Sequence, residues 1–153
     1  MRLSEILKPQ NIKVPLLGAT KAEAIREIVE LMAANGDIED PKKVLDAVLE
    51  REATRTTGIG NGLAIPHGKC DGTKDLVMAL GKPATPIDFQ AIDGRPVTLI
   101  WLLSSPPEKT VAHIHALARI TRFMTAEKFR AGVNNATSGP EIFDLIVAQD
   151  NAT

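Results

Sequence analysis

Two short runs of mainly apolar residues place the strongest constraint on how this chain can fold. Residues 76–80 and 97–103 are bounded by Gly, Lys and Pro, and each run is too short for a core helix. Runs of this length are typical of strands that are buried on both faces of a sheet. The segments around them place apolar residues at the three- and four-residue spacing of a helix. This alternation of strands and helices predicts an α/β layered domain.

Three of the helical segments carry recognisable start signals. Residues 20–23, Thr-Lys-Ala-Glu, form a capping box that starts a helix. Asn35-Gly36 can end this helix, because these residues readily adopt the left-handed conformation of a helix C-terminus. Asp40-Pro41 starts a second helix that runs to about residue 51 or 53, and residues 138–141 open the last one. The side chains expected to be buried are Ile25, Ile28, Val29 and Met32 in the first of these helices, Val44, Leu45, Val48 and Leu49 in the second, and Ile142, Leu145 and Ile146 in the last.

A further long helix is expected from Glu108 to Met124. The chain enters it through Ser105-Pro106-Pro107, directly after the second apolar run. Its spacing predicts one face that packs on the sheet. That face is expected to comprise Val111, Ile114, Leu117, Ala118 and Thr121.

Composition excludes several classes of function. The 153 residues suit one domain, and 44% apolar residues suffice for a core without disulfides or a structural metal. Eighteen Lys and Arg against nineteen Asp and Glu give a net charge of −1, so no basic field attracts nucleic acid or an anionic membrane. Four Phe and Trp101 are the only aromatic residues, which removes the stacking surface that RNA-binding proteins use.

The chain also shows no sign of export or membrane insertion. No apolar run approaches the roughly 20 residues that a membrane span needs, and the N-terminus lacks a signal-peptide pattern. Cys70 is the only cysteine, so no internal disulfide is possible. We therefore expect a cytoplasmic protein with neither nucleic acid nor membrane as a partner.

The most unusual segment is residues 57–68, Thr-Gly-Ile-Gly-Asn-Gly-Leu-Ala-Ile-Pro-His-Gly. Glycines let a backbone approach a ligand closely and present N–H groups, as in loops that bind phosphate oxygens. Leu63 breaks the dinucleotide fingerprint, and His67 and Cys70 break the P-loop pattern. An ordinary glycine-rich turn is the alternative. The candidate phosphate loop comprises Gly58, Gly60, Asn61 and Gly62.

His67 closes this segment and is the candidate reactive residue. Pro66 before it restricts the backbone and Gly68 after it permits a sharp turn, so we expect the imidazole at the end of a strand. A neutral imidazole has one nucleophilic nitrogen and can be oriented through the other, which suits it to accept a phosphoryl group. The alternative is a histidine whose ring satisfies neighbouring backbone groups.

The glycine-rich segment, preceded by Arg51-Glu52, resembles the active-site motif of enzyme IIA proteins of the phosphoenolpyruvate-dependent phosphotransferase system, in the fructose, mannitol and nitrogen-regulatory branch. The resemblance covers residues 1 to about 148. It implies a single enzyme IIA type-2 domain over residues 1–153, with a five-stranded mixed sheet flanked by helices on both faces. The matching residues outside the segment are Met1 to Leu7, Trp101 to Pro106, His113 and Leu117 to Ile120.

The resemblance also implies roles for three residues. His67 is the position that a small histidine phosphocarrier protein phosphorylates, and His113 matches a second active-site histidine that donates a hydrogen bond to the phosphoryl group or its acceptor ring. Arg51 matches a basic residue beside the site, whose guanidinium would offset the added charge of roughly −1.5 to −2. No cofactor is expected.

Within the family, the sequence favours the nitrogen-regulatory branch. Asn61 stands where mannitol-type members carry a carboxylate, and the chain ends at Thr153 with no attached IIB domain. We expect His67 phosphorylation to act as a signal that changes which target proteins are bound. Two alternatives remain open: a fructose-type transport protein that passes the phosphoryl group to a IIB protein, and a regulatory binding module that is not phosphorylated.

A metal site is the alternative from a different class of function. His67, Cys70, His113 and His115 are plausible zinc ligands by residue type. However, residues two apart on a helix point about 200° away from each other, so His113 and His115 should not reach one ion. We therefore expect no metal site, with His115 at the surface.

Overall fold

The computed structural model describes residues 1–153, which form six α-helices and six strands. Two single-turn 3-10 helices, Pro9–Asn11 and Pro107–Lys109, lead into β1 and α4. None of the α-helices is both long enough and apolar enough to cross a bilayer. The elements are α1 Leu3–Ile6, β1 Ile12–Leu16, α2 Lys21–Ala34, α3 Pro41–Thr54, β2 Gly58–Gly60, β3 Leu63–Ala64, β4 His67–Lys69, β5 Val77–Pro83, β6 Leu99–Ser105, α4 Thr110–Phe123, α5 Glu127–Asn135 and α6 Gly139–Ala152.

The strands form one mixed sheet in the order β1-β5-β6-β3-β2, and β4 also pairs with β6. Strands β3 and β4 run parallel to β6 in one unbroken register, with Leu63 opposite Leu99 and His67 opposite Leu103. Between them, the Pro66 carbonyl accepts the Leu103 N–H at 3.0 Å. Pro66 has no N–H to donate to β6, so the pairing is interrupted at this residue. Because β3 and β4 occupy one position in the sheet, the expectation of a five-stranded mixed sheet is confirmed.

Helices cover both faces of the sheet, as expected. On one face, α2 and α3 pack on Leu16, Ala79 and Ile100. On the other, α1, α4, α5 and α6 pack on Leu80 and Trp101 among others. Successive side chains of one strand point alternately into the two cores, as expected for a strand that is buried on both faces of the sheet.

The helix signals in the sequence correspond to real helix starts. Thr20 and Glu23 form the reciprocal capping box of α2, Asp40 accepts the Lys43 N–H at the start of α3, and Ser138 caps α6. Both apolar runs are strands, each extending beyond the expected end, to Pro83 and Ser105. The predicted buried positions of α2 are all buried: Ile25, Ile28, Val29 and Met32.

The predicted face of α4 is wrong. Val111 is 69% exposed and Ile114 is 55% exposed. Large apolar residues occur on two neighbouring stripes of this helix, and burial selects the stripe that contacts Trp101, whose ring centroid lies 6.4 Å from that of Phe123. The helix is therefore rotated so that a histidine faces inward. The buried residues are His113, Ala116, Ile120 and Phe123.

Candidate functional site

Two histidines meet between β4 and α4. The ring centroids of His67 and His113 lie 5.4 Å apart, with the ring planes at 64°. We expected His67 at the end of a strand, but it is the first residue of β4, directly after the break at Pro66. Since side chains alternate along a strand, His67 points to the same face as Ile65, which lies in the core beneath α4. The fold thus brings together the two histidines whose roles the family resemblance implies.

The His67 ring is oriented by the backbone of its own strand. Its Nδ1 lies 2.8 Å from the carbonyl oxygen of Ile65, and since a carbonyl only accepts, Nδ1 carries the hydrogen. Burial is the largest effect on the pKa of His67 and lowers it, while the hydrogen bond to Ile65 opposes burial. The charges of Arg51 and Lys69 also lower the pKa and that of Glu52 raises it, so that the pKa lies below its ordinary value. The ring is therefore neutral at pH 7, and its Nε2 has a free lone pair.

His113 is oriented by a serine at the end of β6. Its Nδ1 lies 2.6 Å from Ser105 Oγ, and the buried Nε2 has no partner. Burial lowers the pKa of His113 to about 4, together with the positive charges of Lys69 and, once it is protonated in acid, of His67. His113 is therefore neutral at pH 7. The Ser105 hydroxyl has no other partner and donates to Nδ1, because buried hydroxyls are rarely left unpaired. The hydrogen of His113 is then on Nε2, available as a donor.

Two cations border His67. Arg51 and His67 line two adjoining cavities of about 520 and 250 Å³. Arg51 Nη1 donates to the Arg55 carbonyl at 2.8 Å, which fixes the side chain at the end of α3. Lys69 follows His67 by two positions, so it projects from the same face of β4, and it lines the larger cavity. An anion on His67 would therefore face two positive charges.

The close approach of α3 to β4 depends on Gly68. A Cβ at this position would lie 3.1 Å from the backbone of Ala47 and Val48. Glycine at this position lets α3 lie this close to β4 without any displacement of the α3 backbone. Arg51, one turn further along α3, is thereby carried to the rim of the His67 cavity.

The candidate phosphate loop lies elsewhere. Asn61 and Gly62, with φ values of 57° and 78°, form the tight turn between β2 and β3, and the Asn61 N–H faces Asp93. Five residues of extended chain at about 3.3 Å each place Gly62 roughly 16 Å from His67. Gly58 is packed against Ala91. The structure thus places Asn61 and Gly62 away from His67, in the turn of the hairpin that leads to it. Gly58 and Gly60 lie in β2 of that hairpin, where their neighbours Thr57 and Ile59 line the smaller cavity beside His67.

The remaining candidate ligands are also separated. His115 is exposed, whereas His113 is buried on the opposite side of α4. No three His, Cys, Asp or Glu side chains are arranged to hold a metal ion. The arrangement around His67 combines a neutral imidazole with the unpartnered Nε2 of His113 and two cations.

Three residues at the site were assigned no role from the sequence. Ser105 orients His113, Lys69 adds a cation, and the buried Glu52 accepts two hydrogen bonds from Thr57. The position of Lys69, two residues after a strand histidine, was a usable signal. The roles of Ser105 and Glu52 depend on contacts across the fold that no local pattern shows.

Comparison with known proteins identifies the family of this chain. Residues 5–149 match the model of the family described as phosphoenolpyruvate-dependent sugar phosphotransferase system, EIIA 2. The nitrogen regulatory protein of Escherichia coli is 34% identical, over 95% of this chain and 90% of that protein. The fructose-specific EIIABC component of Bacillus subtilis is 29% identical over 98% of this chain, which spans only 24% of that longer protein.

Solved structures show the same fold. The nitrogen regulatory protein IIA-Ntr of Neisseria meningitidis superposes with a TM-score of 0.86 at 27% identity, covering 94% of this chain and 98% of that one. IIA mannitol from Escherichia coli, in a complex with phosphorylated IIB mannitol, superposes with a TM-score of 0.79 at 23% identity, covering 93% and 97%. From the family match over nearly its whole length, the chain belongs to the EIIA 2 family of the phosphoenolpyruvate-dependent sugar phosphotransferase system.

Proposed function

We propose that this protein is a phosphohistidine carrier, with residues 1–153 working as one IIA domain and His67 accepting the phosphoryl group from a histidine phosphocarrier protein. The observation that carries the proposal is the 2.8 Å hydrogen bond from His67 Nδ1 to the Ile65 carbonyl. It leaves Nε2 unprotonated in a ring that already lines an open cavity. A neutral, oriented imidazole is the form that attacks phosphorus.

In the proposed step, the Nε2 lone pair of His67 forms a bond to phosphorus while the N–P bond of the donor breaks, returning its electron pair to the donor imidazole. The His67 ring then carries a positive charge, which the hydrogen bond to the Ile65 carbonyl favours. Transfer of this kind depends mostly on positioning and charge stabilisation. The unpaired Nε2–H of His113 donates to a phosphoryl oxygen, and Arg51 and Lys69 offset the charge.

We further propose that the phosphorylated state is a regulatory signal of the nitrogen branch. Supporting this, the chain matches the nitrogen regulatory protein of Escherichia coli over 90% of that protein's length, and IIA-Ntr superposes over 98% of its length. A second candidate is a fructose-type IIA protein that hands the phosphoryl group to a IIB protein. The match to the fructose-specific EIIABC component over 98% of this chain favours that candidate.

Intact-mass measurement tests the carrier chemistry. The protein is incubated with phosphoenolpyruvate, enzyme I and the histidine phosphocarrier, then quenched in alkali because phosphohistidine is acid-labile. We expect a gain of one phosphoryl group that is lost in His67→Ala and kept in His115→Ala, which removes an exposed histidine of α4. Phosphorylation of His67→Ala would refute the assignment of His67.

Two further results separate the alternatives. No gain of mass, while a known IIA protein is phosphorylated in the same mixture, would favour a binding module that is not phosphorylated. If the phosphoryl group forms, its passage to a purified fructose-type IIB protein would favour transport, and retention in the presence of IIB would favour the regulatory role.

A further inference from the structure

One buried carboxylate near the histidine pair has no role in the chemistry described above. Glu52 is only 5% exposed and follows Arg51 in the last turn of α3. The end of a helix carries a partial negative charge that disfavours an anion, and burial of a carboxylate is unfavourable unless it is paired. A glutamate at this position therefore depends on its partners.

Both carboxylate oxygens of Glu52 are used. Oε2 accepts the backbone N–H of Thr57 at 2.9 Å and lies 3.2 Å from Lys21 Nζ, while Oε1 accepts the Thr57 hydroxyl. Lys21 is itself held over the ring of Phe89, 5.3 Å from its centroid. The result is that Thr57 is fixed to the end of α3 by two hydrogen bonds.

The hydrogen bonds continue from Thr57 to the reactive ring. The Thr57 carbonyl accepts the Ile65 N–H at 3.1 Å, and the Ile65 carbonyl accepts the Nδ1–H of His67 at 2.8 Å. The Ile65 carbonyl decides which nitrogen of His67 carries the hydrogen. A group that fixes Thr57 therefore also fixes the nitrogen that is free to react.

We propose that Glu52 is a positioning residue for phosphoryl transfer: through Thr57 and Ile65 it holds the His67 ring with Nδ1 protonated and Nε2 free. This inference rests on the proposed function only in taking His67 as the phosphoryl acceptor. The negative charge of Glu52 also favours the cationic ring that results when Nε2 bonds to phosphorus.

The tautomer of His67 tests this inference without any phosphorylation. An imidazole side chain in water prefers its hydrogen on Nε2, so a weakened hydrogen-bond chain should move hydrogen from Nδ1 to Nε2. We expect the ¹⁵N chemical shifts of His67 to report mainly Nδ1–H in the unsubstituted protein and a shift toward Nε2–H in Glu52→Gln and in Thr57→Val. Thr57→Ser keeps the hydroxyl and should keep the original tautomer.

Transfer kinetics provide the second readout. Glu52 is buried, so its replacement by Gln should lower kcat by about tenfold, as loss of an orienting partner commonly does, and leave KM for the phosphocarrier unchanged. Thr57→Val should behave alike and Thr57→Ser should restore kcat. Asp46→Asn is the matched control, because it removes one carboxylate from the exposed side of the same helix.

The outcomes separate this inference from the proposed function. Unchanged tautomer and kcat in Glu52→Gln and Thr57→Val would overturn it, as would a lower kcat with the tautomer unchanged. A tautomer shift in both variants supports the positioning role. If that shift occurs but the unsubstituted protein takes up no phosphoryl group, the carrier function fails and the hydrogen-bond chain to His67 stands.

Discussion

Glu52 and Asp150 are buried carboxylates in equivalent places of two helices. Each lies two residues before the last residue of its helix, α3 or α6. Each is at most 5% exposed and accepts at least one backbone N–H group. Each also pairs with a cation that lies over a phenylalanine ring: Lys21 for Glu52 and Arg119 for Asp150.

The two carboxylates differ in what they hold. Asp150 accepts the N–H groups of Leu3 and Ser4, at 3.0 and 2.8 Å, and so fastens α1 to the C-terminal helix. Glu52 holds Thr57, from which hydrogen bonds lead to His67. The same local arrangement is thus structural in one region and, in our proposal, functional in the other. Whether the carboxylate has a structural or a functional role depends on which backbone segment it anchors.

The largest expected effect is on stability, from Asp150→Ala. This substitution leaves Arg119, 15% exposed, without its carboxylate partner and leaves two backbone N–H groups of α1 unsatisfied. We therefore expect a loss of about 3 kcal/mol in the free energy of unfolding. Urea unfolding measures it, with Asp144→Ala, at an exposed position of the same helix, as the control.

At a temperature where Asp150→Ala remains folded, its rate of His67 phosphorylation should equal that of the unsubstituted protein. A large loss of rate in the folded variant would contradict the separation of the two regions. Equal free energies of unfolding for Asp150→Ala and Asp144→Ala would contradict the structural role of Asp150.

The next effect is on rate, from His113→Ala. The Nε2–H of His113 is the donor proposed for the phosphoryl group, and loss of such a donor lowers a rate by about 10²–10³. Rapid-quench measurement of His67 phosphorylation tests this. Ser105→Ala should give a smaller loss, since it removes only the group that orients His113. An unchanged rate in His113→Ala would place that ring outside the mechanism.

The last effect is the pH dependence of stability, which separates the two regions by the pH range in which each responds. Burial lowers the pKa of His113 to about 4 from an ordinary value near 6.5, so the folded state binds its proton less tightly than the unfolded state. The stability that this group contributes is complete above pH 6.5 and declines as pH falls toward 4. His113→Gln should lose this part of the pH dependence.

Asp150 responds in a more acidic window. Burial alone would raise the pKa of Asp150, but hydrogen bonds from Ser4, Arg119 and Leu3 outweigh it and lower the pKa. The stability it contributes is therefore complete above about pH 4 and is lost as pH falls through the folded pKa. The stability difference between Asp150→Asn and the unsubstituted protein should shrink below pH 4. A constant difference down to pH 2 would contradict this assignment.

Much of the fold was predictable because its signals are local. Capping residues such as Thr20, Asp40 and Ser138 act within one helical turn, and the two short apolar runs form β5 and β6. Strand β1 and helix α5 were not predicted. The first contains Pro15, which weakens a strand signal, and the second has a sequence, Glu-Lys-Phe-Arg-Ala-Gly-Val-Asn-Asn, with only two buried residues.

The sequence by itself determined the α/β class, the capped helices and the segment that contains His67, because propensity, capping and apolar spacing operate over a few residues. Tertiary structure decided that α4 turns His113 inward, that the Asn61 turn lies far from His67, and which His67 nitrogen is free. Those outcomes depend on strand register and on packing between distant segments. A local pattern carries no information about which distant group will occupy the opposite side of a contact.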